Sequence, residues 1–321
     1  MAKNSNLHAA KVAKNDEFYT MLTDIEKEMS HYKDFFKGKV VYCNCDDARE
    51  SNFFKYFSLN FEFLGLKKLI TTGYKAEGKG VVLIYEGDKN GNRKVEDDEI
   101  VVRQLEGSGD FRSAECIEFL KEADVVVTNP PFSLFREYVK QLMDYGKKFL
   151  IIGSMNAITY KEIFPYIKND ELWLGNQNVK EFRSPNGEIK KFGNILWYTN
   201  IQHKKRNTPL DLYKRYSNEY PKYDNYDAIE VSKVSDIPMD YDGVMGVPIT
   251  FLDKYCPAQF KIVNLSRYLT DSKGMSKEFV EKYYAQGNTG LISEGHPDLC
   301  YYAKNGKTVV PYMRILIKKV F

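Results

Sequence analysis

The sequence predicts an α/β fold, a sheet of mainly parallel strands covered by helices, with a smaller C-terminal region. Two observations carry this prediction. Short runs rich in β-branched residues alternate with stretches in which apolar residues recur every three or four positions, which is the order of a parallel sheet covered by helices. In addition, 321 residues are enough to bury one large core and a smaller second one without disulfides or metal.

The alternation can be followed element by element. Residues 16–36 have apolar side chains at helical spacing, and Ser51 and Gly65 are typical of the first and last positions of a helix. Residues 81–103 interrupt the pattern with two β-prone runs around a glycine-containing turn, which predicts an inserted hairpin. The predicted elements are, in order, a helix over 16–36, a strand over 39–45, a helix over 51–64, a strand over 66–72, the hairpin, a helix over 113–122, a strand over 123–128, a helix over 134–146, a strand over 148–153, a helix over 161–168, and two late strands over 171–175 and 194–200.

The character of the sequence changes after Asn200. The basic run HKKR is followed by a stretch dense in Tyr, Lys, Asn and Asp, and then by loops punctuated with Pro and Gly. We therefore place a domain boundary near residue 205, which divides the chain into domains of 1–205 and 206–321.

Composition argues against several classes of protein. The formal charge is only +3, from 47 basic and 44 acidic residues, so any surface for a polyanion must come from local clustering. The five cysteines are scattered, and although Cys43 and Cys45 are close together, no second pair of ligands accompanies them; we expect neither a disulfide framework nor a metal site. No apolar run approaches the ~20 residues of a membrane helix and no signal core is visible, which predicts a cytoplasmic protein.

The segment ADVVVTNPPFSLF carries the clearest functional signal. It places Asn129, Pro130, Pro131 and Phe132 directly after a predicted parallel strand, where open α/β sheets bind their ligands. The Asn129 side-chain oxygen and the Pro130 carbonyl can accept hydrogen bonds from a planar amino group, and two prolines leave the turn few conformations. Phe132 can lie on the face of a base rotated out of a duplex. The four residues are therefore a candidate catalytic site for chemistry on an amino group such as N6 of adenine.

A structural interpretation of the same turn stays open. In it, Asn129 caps a helix and the two prolines only stiffen a strand-to-helix connection. The β-branched strand before the turn and the amphipathic helix after it favour the catalytic interpretation.

Further segments, in a fixed order, place the chain beside a known family. They are KNDEFYT at 14–20, VVYCNCDD at 40–47, SNFFKYF at 51–57, GDF at 109–111, GNILWYTN at 193–200 and GVMGVPITFLDKYCPAQF at 243–260. Together with NPPF, they resemble the EcoRI-type adenine-specific DNA methyltransferases from about residue 10 to the C-terminus. The resemblance implies a doubly wound, Rossmann-like S-adenosylmethionine-dependent methyltransferase sheet over 1–205, which binds the cofactor and carries catalysis. It also implies a smaller target-recognition region that binds DNA over 206–321.

The resemblance also implies a set of cofactor-binding residues, which are Phe18, Tyr19, Thr20, Cys43, Asn44, Asp46, Asp110 and Phe111. The first three would contact the methionine part, the next three would line the pocket at the end of the first long strand, and the last two would take the adenine. Two features depart from the general methyltransferase pattern. CNCDD replaces a glycine-rich turn, and TTGYK offers no acidic residue for the ribose, so the ribose contact is unassigned.

Basic side chains near and after the domain boundary are candidates for contact with DNA phosphates. The polar loops at 272–277 and 286–290 are candidates for contacts in a groove. Charges of this kind are also common on solvated faces, and that interpretation stays open. The named candidates are Lys204, Lys205, Arg206, Lys273 and Lys277.

The predicted function is direct transfer of a methyl group from S-adenosylmethionine to N6 of a flipped adenine in double-stranded DNA. The resemblance implies GAATTC or a related site, in restriction-modification or phage self-protection, and no obligate protein partner is expected. Two other interpretations remain. The same turn could serve an amino-methyltransferase acting on RNA or on a protein side-chain amide, and the fold could persist in an inactive nucleic-acid-binding protein.

Overall fold

The computed structural model describes residues 19–184 and 187–320, apart from the side chain of Asp46. Within these residues the chain packs into two compact units. The first unit runs to Ile163 and includes Leu172–His203, and the second comprises Phe164–Glu171 and the chain from Lys204 onward. The assignment of catalysis to 1–205 and of target recognition to 206–321 stays a prediction.

The first unit is built on one large mixed sheet. Its four central strands are parallel, and two antiparallel hairpins and a short edge strand extend it on both sides, so the sheet is less uniformly parallel than predicted. The strands are β1 (Tyr19–Thr20), β2 (Val40–Asp46), β3 (Lys68–Gly73), β4 (Val81–Tyr85), β5 (Ile100–Gln104), β6 (Val125–Thr128), β7 (Lys148–Ser154), β8 (Trp173–Arg183) and β9 (Ile189–Thr199). Their order across the sheet is β1-β8-β9-β7-β6-β2-β3-β4-β5.

Helices cover both faces of this sheet, as the predicted α/β fold requires. On one face, Phe36 meets Phe57 and Phe53 meets Trp197 within a large buried cluster. On the other face, Phe135 packs so closely on Gly153 that a Cβ there would lie 2.5 Å from its ring. The doubly wound α/β prediction is therefore confirmed. The helices are α1 (Leu22–Met29), α2 (Asn52–Leu59), α3 (Phe61–Leu64), α4 (Ala114–Glu122) and α5 (Phe135–Asp144).

The predicted helix over 16–36 is wrong in extent. Tyr19–Thr20 forms β1 instead, because its backbone pairs with the end of β8, a contact that local helical spacing cannot reveal. Helix α1 begins only after Met21, and a separate 3-10 turn covers Lys33–Phe36. In contrast, Ser51 accepts a hydrogen bond from the Phe53 amide as an N-cap, as predicted.

The order of the strands creates a crevice at one edge. Strands β2, β3, β6 and β7 are parallel, so their carboxyl ends meet at a single edge of the sheet, which we call the carboxyl edge. The chain passes from β2 to β3 on one side and later returns to β6 on the other side of β2. Such a reversal leaves a ligand-binding crevice outside the carboxyl ends of the two strands involved.

The second unit has a small four-stranded sheet with the order β10-β11-β15-β12 and a two-stranded ribbon of β13 and β14. The residues after Lys204 that precede β10 are mostly irregular. The helix predicted over 161–168 is present in shortened form as α6 and belongs to this unit. The elements are α6 (Phe164–Lys168), β10 (Ile229–Glu230), β11 (Met245–Pro248), β12 (Phe260–Leu265), α7 (Lys277–Ala285), β13 (Tyr301–Tyr302), β14 (Thr308–Val309) and β15 (Arg314–Lys319).

A buried carboxyl group fixes α1 to β8. Glu28 is fully buried and accepts hydrogen bonds from the backbone amides of Asn176 (2.8 Å) and Gln177 (2.7 Å). It also accepts one from the Tyr32 hydroxyl, at 2.9 Å. Gly175 is required beside it, because a Cβ there would lie 2.4 Å from a Glu28 carboxyl oxygen.

We expect Glu28→Ala to lower the free energy of unfolding by about 3 kcal/mol, because each buried donor left without an acceptor costs about 1–3 kcal/mol. Denaturant unfolding at unchanged m-value measures this change. Glu26→Ala, an exposed glutamate on the same helix, is the matched control. Equal midpoints for the two variants would show that the Glu28 hydrogen bonds do not stabilise the fold.

Candidate active site

The predicted catalytic turn lies at the crevice. Strand β6 is buried through Thr128, Asn129 and Pro131 are half-buried, and Pro130 is buried. Phe132 packs against the main core while part of its side chain stays exposed. The predicted context of strand, turn and helix is therefore confirmed.

The structure also decides against the capping interpretation of this turn. A 3-10 turn begins at Phe132 and its N-cap residue is Pro131, and the N-cap residue of α5 is Leu134. Asn129 is therefore the N-cap residue of neither element. Its position at the carboxyl end of a central strand is the position expected for a ligand-binding side chain.

The ends of β2 and β6 are joined through Asn44, which is 3% exposed. The Thr128 hydroxyl donates a hydrogen bond to the Asn44 carbonyl, and the Tyr138 hydroxyl donates one to the Asn44 side-chain oxygen. The first bond holds Thr128, the residue before the turn, against the end of β2. The second bond holds α5, the helix after the turn, against the same strand end. The sequence prediction placed Asn44 in the cofactor pocket, and the structure places it at the strand reversal beside Asn129.

The backbone changes direction immediately after Asn44. Cys45 has a φ of +68°, in the left-handed region that costs a residue with a side chain about 1 kcal/mol or more, and the pairing of β2 with β3 shifts between Cys43 and Asp46. The turn that glycines usually make is thus made here by a cysteine. Cys43 is buried in the core cluster, so its side chain serves packing, and the side chain of Asp46 lies outside the described residues.

A close contact between glycines brings Asp110 and Phe111 to the carboxyl edge. Gly109 has a φ of +82°, and a Cβ on it would lie 2.4 Å from the Gly73 carbonyl oxygen at the end of β3. Phe111 is buried, and its ring meets the ring of Tyr138 edge-on with centroids 5.0 Å apart. Tyr138 therefore contacts both Phe111 and Asn44, two residues predicted to bind the same cofactor.

The carboxyl group of Asp110 is held by its neighbour Arg112. The guanidinium lies 2.7 Å from one carboxylate oxygen and 2.9 Å from the other. The hydrogen bonds from the Arg112 side chain hold the pKa of Asp110 below its usual range. Asp110 is thus a charged hydrogen-bond acceptor at neutral pH, which is the chemistry needed to bind an adenine amino group.

The segment predicted to contact methionine is tied to the start of α2. The Asn52 side-chain amide donates to the Thr20 carbonyl at 2.8 Å, and α2 follows the turn that leaves β2. The Thr20 hydroxyl is buried and has no hydrogen-bond partner among the residues that the structure describes. Tyr19 is half-buried in β1, and Phe18 lies outside the described residues.

The sequence predictions did not single out Tyr138, which lies within the predicted helix over 134–146. We expect Tyr138→Phe to raise the Kd for S-adenosylmethionine about tenfold, because the Asn44 side chain is then no longer held in the orientation in which it lines the pocket. One such hydrogen bond contributes about 0.5–1.5 kcal/mol. Calorimetric titration of the cofactor measures this change. Tyr145→Phe, an exposed tyrosine at the end of the same helix, is the control, and an equal Kd in both variants would contradict a positioning role.

The basic residues predicted to bind DNA differ in their surroundings. Lys204, Lys273 and Lys277 are exposed. Lys205 forms an ion pair with Asp253 at 2.6 Å, and Arg206 is buried in an ion pair with Asp170. The charges of Lys205 and Arg206 are thus balanced within the second unit. Lys277 forms only a weak surface pair with Glu281, at 3.8 Å, so the three exposed lysines remain accessible to a phosphate. Phosphate binding by all five stays a prediction.

The described part of the chain shows neither a cluster of metal ligands nor a membrane-spanning helix. Among these residues, no group of three or more His, Cys, Asp or Glu side chains could hold a metal ion. None of the described helices is long and apolar enough to cross a membrane.

The chain is similar in sequence to a known protein family and to individual proteins. Residues 6–320 match a family model described as "Adenine-specific methyltransferase EcoRI". The Type II methyltransferase M.EcoRI of Escherichia coli is 48% identical over 304 residues, which cover 86% of this chain and 93% of that protein. The Type II methyltransferase M.MgeORF184P of Mycoplasma genitalium is 36% identical over 338 aligned positions, which cover 98% of each. A solved structure titled as a putative RNA methyltransferase from Pyrococcus horikoshii aligns with 54% of this chain at 15% identity and a TM-score of 0.27, too little to bear on function.

Proposed function

The chain belongs to the EcoRI family of adenine-specific methyltransferases, and from that premise we propose that it methylates N6 of an adenine rotated out of a short duplex DNA site. The predicted family is confirmed by the match across the chain and by the two close relatives. The predicted class of enzyme, an adenine-specific methyltransferase, is confirmed with it. The residue roles and the substrate site described below are our proposal.

The observation that carries the proposal is the position of Asn129–Phe132. The turn follows a central parallel strand, at the strand reversal, and is joined to the end of β2 through Asn44. The crevice there is where an open α/β sheet binds its ligand, so a target base and a methyl donor can meet beside the turn.

The proposed chemistry follows from the weakness of the nucleophile. The lone pair of adenine N6 is delocalised into the ring, so the nitrogen attacks poorly unless acceptors draw on its two N–H bonds. The Asn129 side-chain oxygen and the Pro130 carbonyl supply such acceptors and stabilise the positive charge that develops on N6. The two prolines fix φ at both positions, so the acceptors need little reorganisation when the base arrives. Direct transfer then requires no covalent enzyme intermediate.

Phe132 is proposed to hold the flipped base. Its ring packs on the core on one side and is partly open on the other, which suits a stacking contact with a purine. Chemistry on N6 requires the adenine to leave the stack of the duplex, at a cost of a few kcal/mol that such contacts offset.

Membership of a methyltransferase family implies S-adenosylmethionine as the methyl donor, and the residues at the carboxyl edge fit it. When bound, this cofactor supplies a methyl group activated by a positively charged sulfur. The charged Asp110 is proposed to accept from the cofactor's adenine amine, and Phe111 to contact the adenine ring. The buried Thr20 hydroxyl, which has no partner among the described residues, is proposed to donate to the methionine end. Asn44 is proposed to line the pocket between them.

We further propose that the DNA substrate contains GAATTC or a related sequence, in restriction-modification or phage self-protection. Support for this comes from the similarity to M.EcoRI, a Type II methyltransferase. The exposed Lys204, Lys273 and Lys277 are proposed phosphate contacts in the region over 206–321. Long-read sequencing of DNA from a host that expresses the chain tests the site, since it shows modified adenines together with their sequence context.

The proposed activity is tested by transfer of labelled methyl groups from S-adenosylmethionine to unmodified duplex DNA of mixed sequence. Acid hydrolysis of the product should release N6-methyladenine. Label in RNA or in protein, with none in DNA, would favour the alternative amino-methyltransferase, and cofactor binding without turnover would favour the inactive nucleic-acid-binding protein.

A further inference from the structure

The antiparallel hairpin of β8 and β9 is longer than the sheet that supports it. Strand β7 ends at Ser154, which pairs with Ile195, but β9 begins six residues earlier, at Ile189. At about 3.3 Å per residue, this part of β9 extends for about 20 Å beyond β7. Because β7 ends at the carboxyl edge, the extra length projects past the edge at which Asn129 lies. We call residues 180–184 and 187–194 the projecting hairpin.

One side of the projecting hairpin faces the space above the site. In the strand order, β9 lies next to β7, and β6 lies beyond β7. The edge of β9 from Ile189 to Asn194 that is turned away from β8 therefore faces the region above the carboxyl ends of β7 and β6. Among the described residues, no strand pairs with this part of β9 on that side.

The projecting hairpin is held firmly on its other sides. Strand β1 pairs with its outer strand at Tyr19 and Thr20. The rings of Phe182 and Phe192 meet edge-on with centroids 5.4 Å apart, and Phe192 packs against the main core. The Asp24 side chain on α1 accepts hydrogen bonds from the backbone where β8 is irregular. A hairpin anchored in this way can present side chains at defined positions.

The projecting hairpin carries a large share of the net positive charge of the chain. It has four basic residues and two acidic ones, a net charge of 4 − 2 = +2, whereas the whole chain has only +3. Its exposed face carries Arg183 and Lys191 beside Ile189, which is 57% exposed. Lys191 is 80% exposed, and its ion pair with Glu181 at 3.3 Å is a weak surface pair.

We infer that the projecting hairpin is a DNA-binding element of the first unit, in which Arg183 and Lys191 contact phosphates next to the flipped adenine. The inference rests on the proposed function, because the partner is the same duplex. It adds a phosphate-binding surface within the first unit, whereas the phosphate contacts predicted from the sequence all lie from Lys204 onward. Two exposed basic side chains and an exposed apolar one, on a hairpin that projects beside the base site, together fit a nucleic-acid backbone.

The test compares two double variants. For each one, the affinity for DNA is measured as a function of salt concentration. Arg183→Ala with Lys191→Ala removes the proposed contacts. Lys67→Ala with Lys94→Ala removes the same charge from exposed positions at the opposite edge of the sheet. Binding of a labelled duplex is measured over a salt series, with the Kd for S-adenosylmethionine and the Tm as checks of folding. We expect the slope of log K against log salt to become shallower by about 2 in the first variant, about 1 for each lost phosphate contact, and to stay unchanged in the second.

Equal slopes in the two variants would overturn the inference. If the first variant does not fold, lysine acetylation of the unaltered protein answers the same question. DNA should protect Lys191 and leave Lys67 as reactive as before, and unprotected Lys191 in a DNA-bound protein would overturn the inference. Failure of the proposed function would look different, because the unaltered protein would then neither bind nor methylate duplex DNA.

Discussion

Replacement of Asn129 by alanine is expected to lower kcat for methyl transfer to DNA by about 100-fold to 1000-fold. The reason is the loss of one preorganised acceptor aimed at a charge that develops only in the transition state, and removal of one such polar group typically costs that much. The Kd for S-adenosylmethionine should change little, because the side chain acts on the target amine. Single-turnover methylation of a saturating duplex measures the chemical step separately from binding.

Two further variants make this expectation specific. Asn129→Asp keeps an acceptor oxygen and should lose much less activity than the alanine variant. Asn92→Ala lies in the loop between β4 and β5, at the edge of the sheet opposite to the site, and should behave as the unaltered protein. A kcat for Asn129→Ala within about tenfold of the Asn92→Ala value is incompatible with the electrostatic role that we propose.

The parts of the fold that could be predicted from the sequence are those governed by local chemistry. Ser51 is an N-cap because its side chain accepts from an amide two residues away, and the strand before Asn129 follows from its β-branched residues. Tyr19 and Thr20 form a strand only because β8 lies beside them, so local spacing assigned them to a helix. The length of β9 past β7 is a matter of register between distant strands, which no local pattern encodes.

The candidate site also contains some residues that could be predicted from adjacent sequence and others that could not. Asn129–Phe132 was recognisable because four adjacent residues carry the chemistry after a strand. The contribution of Tyr138 depends on a hydroxyl that reaches Asn44 across the sheet, and that of Gly109 on its closeness to Gly73. Cys45 adopts the left-handed backbone for which glycine is the usual signal, so its role at the end of β2 was invisible as well. Residues whose roles depend on distant partners need the folded chain to be found.

The second large effect is expected in the second unit, at a buried ion pair. Glu230 is 1% exposed and lies 2.7 Å from the Arg314 guanidinium, while the Tyr223 and Ser232 hydroxyls donate to the same carboxylate. Glu230→Ala leaves the Arg314 guanidinium, whose side chain is only 13% exposed, without its partner, and breaking a buried pair in this way typically costs about 3–5 kcal/mol. That is a large fraction of the stability of an ordinary domain, so much of the second unit should unfold under mild denaturing conditions.

A surface pair of nearly the same length is the matched control. Lys304 and Glu219 lie 2.8 Å apart with both side chains largely exposed, so we expect Glu219→Ala to leave the unfolding midpoint unchanged. The combination of Glu230→Leu with Arg314→Met removes both charges and should recover much of the stability lost in Glu230→Ala, because no uncompensated charge is then buried. A Glu230→Ala midpoint equal to that of the control would show that the pair contributes no stability.

Glu230→Ala also tests the proposal that residues 1–205 carry cofactor binding and catalysis and that residues 206–321 recognise the target. If the second unit recognises the target, conditions that unfold it in Glu230→Ala should abolish sequence-specific DNA binding and leave the Kd for S-adenosylmethionine close to that of the unaltered protein. The residues proposed to bind the cofactor all lie in the first unit, whose core does not include Glu230. Loss of cofactor binding in step with DNA binding would mean that the two units do not fold independently and that the boundary near residue 205 does not separate their functions.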